Sequence, residues 1–403
     1  MKRTLIASFD MEVGGVERSL ISMLQHLDTQ LHEVDVMLYS HSGDFLSQLP
    51  ETVSLLDELL HYKTFRMSIP SVFKSGLFHL GLTRLAAKYR ASRGKTAEQG
   101  YRQMQYMWKY ALPFLPKLEQ KYDLAISYLW PHYMVAEKVE AKLKIAWIHT
   151  DYSTVDTDIA LDLAMWKKYD YIMAVSKACR QAFLQKYPSL DHKVRVMENI
   201  SSPHLVRQQA MEPLDERMQR DKRFKLVTVA RLSYAKGIDV AVEAMRLLVD
   251  EGYDISWYVI GYGGEEAKLK ELIAERKLEN HFFLLGKKLN PYPYMQAADI
   301  YVQPSRYEGK AVTVVEAQQL GRPVIITDYP TASSQVRDGQ DGMICQSNPA
   351  GIAAGVRLLY HHSYLRTELE RCCQQTNYDN SHELETLYAL YQEEEAVYAA
   401  GES

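Results

Sequence analysis

The stretch Arg306-Tyr307-Glu308-Gly309-Lys310-Ala311-Val312-Thr313-Val314-Val315-Glu316 decides how this chain is read. Two carboxylates stand eight residues apart, Glu308 in a polar, Gly-containing loop and Glu316 in the opening turn of a predicted helix. A predicted strand, Ile300–Val302, ends just upstream, so the stretch crosses a strand-to-helix junction. In an open α/β sheet such a junction gathers backbone N–H groups and the positive end of a helix dipole, which together bind phosphate. Carboxylates flanking an anion site are suited to accept hydrogen bonds from hydroxyls. A diphosphate set between two groups of hydroxyls describes a sugar nucleotide.

Short apolar runs alternate with helical patterns on both sides of this stretch, the signature of βαβ units and parallel sheets. The first series of strands is read at Thr4–Phe9, Val34–Leu38, Leu124–Ser127, Ile145–Ile148 and Tyr171–Val175. The second is read at Leu226–Val229, Trp257–Ile260, Phe282–Leu284, Ile300–Val302 and Val324–Ile326. Between them Ser201 to Arg223 is polar, Pro-punctuated and without period, and the domain junction is placed there. The expected layout is an N-terminal domain over 1–200, a C-terminal domain over 201–380, and a terminal helix over 381–403 packing back toward the first domain. Doubly wound domains expose the C-terminal ends of their strands, so a ligand site between the two follows from topology.

Composition is that of an ordinary globular protein, with 47% hydrophobic and 24% charged residues. A net charge of −4 makes no case for nucleic acid. Cys179, Cys345, Cys372 and Cys373 are too few and too irregular for a disulfide framework or zinc ligation. The opening run Thr4–Phe9 is too short for a secretory signal and ends at Asp10, so it reads as a strand. No stretch reaches the ~18–20 apolar residues of a membrane span. The expected location is cytoplasmic, extending to the inner face of the cell membrane. One segment breaks the sheet pattern. Residues 63–121 hold twelve Lys and Arg against only Glu98 and Glu119, interleaved with nine aromatics. Basic, aromatic and mostly helical, it suits an anionic membrane surface or an anionic acceptor; a solvated helical excursion whose aromatics pack on the first domain fits equally.

Gly14-Gly15 follow the first strand and precede a predicted helix at Val16–Leu27, where glycines permit unusual φ and close approach of a ligand. They do not make a GxGxxG fingerprint, and a plain tight turn explains them as well. Arg231 and Lys236 share the loop after Leu226–Val229, with Gly237 opening the next helix, and form a candidate diphosphate clamp. Gly261-Tyr262-Gly263-Gly264 follow the next strand and can pass close to a nucleotide. Thr313 and Glu316 also match a capping box, with Thr313 as N-cap and Glu316 reaching back; both roles for Glu316 are compatible. His149 ends the strand Lys144 to Ile148 and is expected to point toward the cleft. No HExxH pair, Walker A loop or Asp-x-Asp metal motif is present where a metal would be needed.

Taken in order, these pieces resemble the retaining GT-B glycosyltransferases of glycosyltransferase family four. The resemblance rests on the Glu-x7-Glu motif at Glu308 and Glu316, continued by Ala317-Gln318-Gln319-Leu320-Gly321-Arg322-Pro323-Val324, and on Arg231, Lys236, Gly14-Gly15, Ser176, Asn199 and His149. It implies two Rossmann-like domains facing each other across a cleft. It further implies that Arg231 and Lys236 neutralise the donor diphosphate, Glu308 faces the transferred sugar, Glu316 binds ribose, and His149 lines the active site. Gly14, Gly15, Gly261, Gly263, Gly309, Lys310, Ala311 and Val312 complete the expected donor site. Two departures stand out: Lys310-Ala311 replace the usual aromatic-Gly pair, and Glu198-Asn199-Ile200 replace Pro-Asn-Gly. The expected activity is metal-independent retaining transfer from a UDP- or GDP-linked sugar to a glycan or lipid-linked hydroxyl, in cell-envelope synthesis and with no cofactor. A GT-B sugar-nucleotide epimerase and a non-catalytic sugar-nucleotide binder are the competing expectations.

Overall fold

The computed structural model describes residues 2–92, 99–390 and 392. Expectations touching Arg93, Lys95, Glu98 and the distal part of the C-terminal segment lie outside the described residues. The chain divides into two compact units. One holds the residues up to Glu12, Val16–Glu198 and the segment from His382; the other holds Val13–Gly15 and Asn199–Ser381.

The first unit is built on seven strands: β1 (Lys2–Ser8), β2 (His32–Leu38), β3 (Val53–Leu55), β4 (Lys121–Ser127), β5 (Glu140–Ile148), β6 (Tyr171–Ala174) and β7 (Val194–Val196). They form one parallel sheet in the order β3-β2-β1-β4-β5-β6-β7. Its central strands are buried on both faces, which is why Leu5-Ile6-Ala7, Leu124-Ala125-Ile126 and Ile145-Ala146 read as unbroken apolar runs. The second unit has six strands: β8 (Phe224–Val229), β9 (Ile255–Ile260), β10 (Phe282–Leu284), β11 (Ile300–Gln303), β12 (Val324–Thr327) and β13 (Met343–Cys345). Their order is β10-β9-β8-β11-β12-β13, again all parallel.

Each sheet winds outward in both directions from a central pair, β1 and β4 in the first and β8 and β11 in the second. At such a reversal the two following loops turn to opposite faces and leave a crevice beyond the strand ends. The loops carrying Arg231 and Lys236 (after β8) and Glu308 (after β11) therefore leave from neighbouring strands, paired as Ile300 with Leu226 and Tyr301 with Val227.

Several local expectations are corrected. Strands β3, β7 and β13 lie at or next to sheet edges and have three residues each, too short to show a period. Ser201 to Arg223 is not structureless: helices Pro203–Gln209 and Glu216–Arg220 start at a Pro in the first turn and at an Asp215 cap. Val206 and Met218 anchor them in the second unit's core, giving one buried residue per short helix, which no periodicity test detects. Gly14 and Gly15 do not adopt left-handed φ; helix Gly15–His26 simply begins there.

Candidate functional site

The loop after β8 is fixed from beneath. Leu232 is buried in the core, and its N–H donates to the Tyr262 carbonyl at 3.0 Å. Gly261 stands directly against this loop: with φ +147°, a Cβ there would lie 1.9 Å from the Ala230 carbonyl oxygen. Gly263 backs the Leu232 carbonyl in the same way. These two glycines, expected to approach a nucleotide, thus first serve to let two strand-end loops stack. A single 3-10 turn, Tyr234–Lys236, then leads to Gly237, whose φ of 62° starts helix Ile238–Asp250. A Cβ at Gly237 would meet the Pro304 carbonyl oxygen at 2.1 Å, so glycine is required twice over.

The loop after β11 is tied to this one by Arg306. Its guanidinium grips Asp239 through both oxygens at 2.8 and 2.7 Å, donates to the Tyr234 carbonyl at 2.7 Å, and lies 4.2 Å from the Tyr234 ring centre. Against the upward push of burial, Arg306 holds the Asp239 carboxyl below its ordinary value. Arg306 is therefore a clip between loops.

Glu308 is 7% exposed and lies at the centre of a charged cluster. Lys236 Nζ donates to its Oε1 at 2.6 Å and its Oε2 at 2.7 Å. Ser305 Oγ and Gln303 Nε2 donate to Oε1 at 2.7 and 3.1 Å. Gln303 is itself oriented by the Tyr301 hydroxyl, which donates to its Oε1 at 2.6 Å. The backbone carbonyl of Glu308 accepts from Thr331 Oγ1 at 2.9 Å. Among the described residues, Oε2 accepts only from Lys236, so that oxygen keeps an open acceptor site. The ammonium has three protons, and its two carboxylate contacts leave a donor over. Arg231, five residues before Lys236, is exposed, and its side chain makes no hydrogen bond or ion pair with the described residues.

Helix Val312–Gln319 begins at Ala311, and no side chain caps it. The capping-box expectation is thus overturned. Thr313 lies inside the first turn, and its hydroxyl is hydrogen-bonded to the Tyr301 hydroxyl at 2.8 Å. The polar network beneath Glu308 takes that hydroxyl and leaves the helix amides without a side-chain acceptor. Glu316, 1% exposed, accepts from the Tyr292 hydroxyl at 2.8 Å. Gly309 and Ala311 are buried, with Lys310 and Val312 half-buried between and after them. Gln303, Ser305, Thr331 and Tyr292 were not singled out from sequence. A signal existed for the first two, polar residues at the end of an apolar strand next to Pro304.

In the first unit, His149 follows β5 and its ring lies 4.7 Å from that of Tyr128. Burial lowers its pKa to about 3, so the imidazole is neutral, and both ring nitrogens are shielded from solvent. His132 is wholly buried, hydrogen-bonded to Ser127 Oγ at 2.8 Å, and likewise lowered to about 3, by burial first and His149 second. Ser176 caps helix Lys177–Lys186, accepting from the Cys179 amide at 3.0 Å. The Asn199 carbonyl accepts from Asn380 in the second unit. Several cations of the 63–121 segment are structural: Arg66 pairs with buried Asp10 at 2.6 Å, Lys63 with Glu58 at 2.7 Å, and Arg102 with Asp156 at 2.6 Å.

Residues 213–376 match the family model described as glycosyl transferases group 1. That span contains the whole of the Lys236–Glu308–Glu316 cluster. Among curated proteins, the chain is 26% identical over 173 residues to an uncharacterized glycosyltransferase of Methanocaldococcus jannaschii, covering 42% of this chain and 43% of that protein. It is 32% identical over 142 residues to the amylovoran biosynthesis glycosyltransferase AmsK of Erwinia amylovora, covering 33% and 35%. It is 33% identical over 138 residues to the poly(glycerol-phosphate) alpha-glucosyltransferase of Bacillus subtilis, covering 34% and 20%. The matched segment thus spans less than half the length of these relatives. Among solved structures, HepE of Anabaena in complex with UDP-glucose is similar with a TM-score of 0.70 at 16% identity, covering 96% of this chain and 100% of that one. TarM of S. aureus, in complex with UDP, is similar with a TM-score of 0.67 at 14% identity, covering 97% and 100%. Such likenesses show the fold: two Rossmann-like domains of the GT-B type. Among the described residues, no helix is long and apolar enough to cross a membrane.

Proposed function

We propose that this chain is a retaining, metal-independent glycosyltransferase that moves a sugar from a nucleoside-diphosphate donor to a hydroxyl of a glycan or lipid-linked acceptor. The observation that carries the reading is the Lys236–Glu308 pair, a cation and a carboxylate held in contact beyond the ends of β8 and β11. The group 1 match over the same residues, and relatives named for amylovoran biosynthesis and for glucosyl transfer to poly(glycerol-phosphate), support it. UDP in the neighbouring structures favours a UDP-linked sugar, with a GDP-linked one as the next choice.

In this reading the open Oε2 of Glu308 accepts from a hydroxyl of the transferred sugar, and Glu316 accepts from the ribose. Arg231, the remaining donor on Lys236 and the uncapped amides at Val312 and Thr313 meet the diphosphate. Negative charge grows on the leaving diphosphate as its bond to the sugar breaks. Fixed cations and oriented amides stabilise that charge without reorganising, which contributes several kcal/mol where water is excluded. His149, neutral at physiological pH and with both ring nitrogens shielded, supports the acceptor side through its packing on Tyr128. The enzyme acts on the cytoplasmic side of the envelope.

The test is a thermal-shift screen against UDP-, GDP-, ADP- and dTDP-sugars, followed by transfer assays with Arg231→Ala, Lys236→Ala and Glu308→Ala. Selective stabilisation by one donor class is expected, by mass action on the native state, together with turnover reduced by at least about a hundredfold in each variant. Transfer at wild-type rates in all three variants would falsify the assignment. Incubation with donor alone separates the epimerase, which converts the donor without acceptor. Tight donor binding with neither transfer nor hydrolysis would mark a non-catalytic binder.

A further inference from the structure

Helix Phe78–Ala91 is apolar on two opposite faces. Leu80, Ala87 and Ala91 are buried, and the helix packs against helix Gln99–Ala111. On the other side Phe78, Leu82, Leu85 and Tyr89 are 61, 61, 45 and 64% exposed. At about 100° per residue these four fall within a sector only about 60° wide, pointing away from the buried face. Phe114, also half-exposed, extends the ridge: its ring lies 5.1 Å from that of His79 on the same helix. A surface helix normally turns polar residues outward, so a continuous apolar ridge marks a face with a partner outside the chain.

The charges of the same segment point to that partner. Lys74, Lys88, Lys109 and Lys117 are exposed, and none pairs with a carboxylate among the described residues. Across the described part of the segment, Glu119 is the only acidic residue. The cations with structural roles, Arg66, Arg84 and Arg102, are satisfied within the fold. What remains outward is apolar ridge plus unpaired lysines, the chemistry that beds into the headgroup layer of an anionic bilayer. We propose that the outward face of helix Phe78–Ala91 seats this protein on an anionic lipid surface. The proposal does not rest on the reaction assigned to the Glu308 cluster.

The test is co-sedimentation of the full chain with vesicles of phosphatidylcholine alone or mixed with phosphatidylglycerol. Binding to the mixed vesicles is expected, weakening as salt rises. Leu82→Ser with Leu85→Ser should lower partitioning about fivefold per leucine, since each already hides roughly half its surface. Lys74→Glu and Lys88→Glu should each cost about fivefold or more on anionic vesicles and little on neutral ones. Because the substitutions sit on solvent-facing positions, the thermal melt and the UDP-sugar thermal shift should stay unchanged, which separates this proposal from the donor site. Equal sedimentation of wild type and the double-serine variant would overturn it. So would a wild-type dimer in light scattering that the double-serine change splits, since the ridge would then be a contact between copies.

Discussion

Replacing Lys236 by Met tests whether this ammonium holds a diphosphate or merely neutralises Glu308. The side chain of Lys236 is 26% exposed and that of Glu308 7%. Stripping one partner from a fully buried ion pair costs about 3–5 kcal/mol. Here Lys236 keeps some solvent, and Ser305 and Gln303 still donate to Oε1, so a stability loss of about 1–3 kcal/mol is expected. A hydrogen bond to a charged group contributes about 1.5–3 kcal/mol, so the affinity for free UDP should fall at least about tenfold. Glu308→Gln keeps the shape and removes the charge; if Glu308 meets the sugar, as proposed, the variant should leave UDP binding near wild type while cutting turnover. The two residues touch, so the double variant should depart from additivity in stability by about 0.5–3 kcal/mol. Calorimetric titration with UDP and a coupled assay of UDP release give both numbers. An unchanged UDP affinity in Lys236→Met would show that the ammonium serves only its neighbouring carboxylate, and the clamp would be withdrawn.

Glu316→Gln should leave the secondary structure intact, because no side chain caps the helix that carries it, and should weaken donor binding by about 1–2 kcal/mol through a lost charge-assisted hydrogen bond; a collapsed circular-dichroism spectrum would count against this. Arg306→Ala removes the bidentate grip on Asp239 and the contact with Tyr234. A stability loss of about 1–2 kcal/mol and a raised KM are expected in melting and steady-state assays, and an unchanged KM would argue that the two loops hold position without the clip. His132 and His149 are neutral in the fold, with pKa values lowered to about 3 by burial. Their contribution is complete above the ordinary histidine value and is lost as pH falls from about 6.5, with a slope of at most ~1.4 kcal/mol per pH unit for each ring. Denaturant titrations at pH 7 and pH 5 measure it; equal midpoints, or an equal slope in a His132→Asn, His149→Asn variant, would refute it.

The long central strands were legible in the sequence because burial on both faces writes itself as unbroken apolar runs, as at Leu226–Val229 and Trp257–Ile260. The edge strand Met343–Cys345, three residues long and only partly buried throughout, carries no such signature. The cluster was half-legible. Glu308 and Lys236 could be named from their loops, but their direct contact spans 72 positions and depends on sheet order. Thr313 shows the opposite failure: the local pattern fitted a cap, and a tertiary partner, Tyr301, took its hydroxyl instead. Gly14-Gly15 allow unusual φ, and the chain does not use that freedom. Propensity governs where nothing else competes, and a buried polar network competes strongly.

The Arg306 clip has a consequence for anyone redesigning the sugar preference. Because it fastens the Lys236 turn to the Glu308 loop, the two opposed charges travel as one rigid jaw, and mutating either loop alone would misalign both. On the proposed reading, libraries aimed at new donors are better confined to position 310, half-buried and outside that jaw, than to Ala311, which packs in the core at the start of the helix.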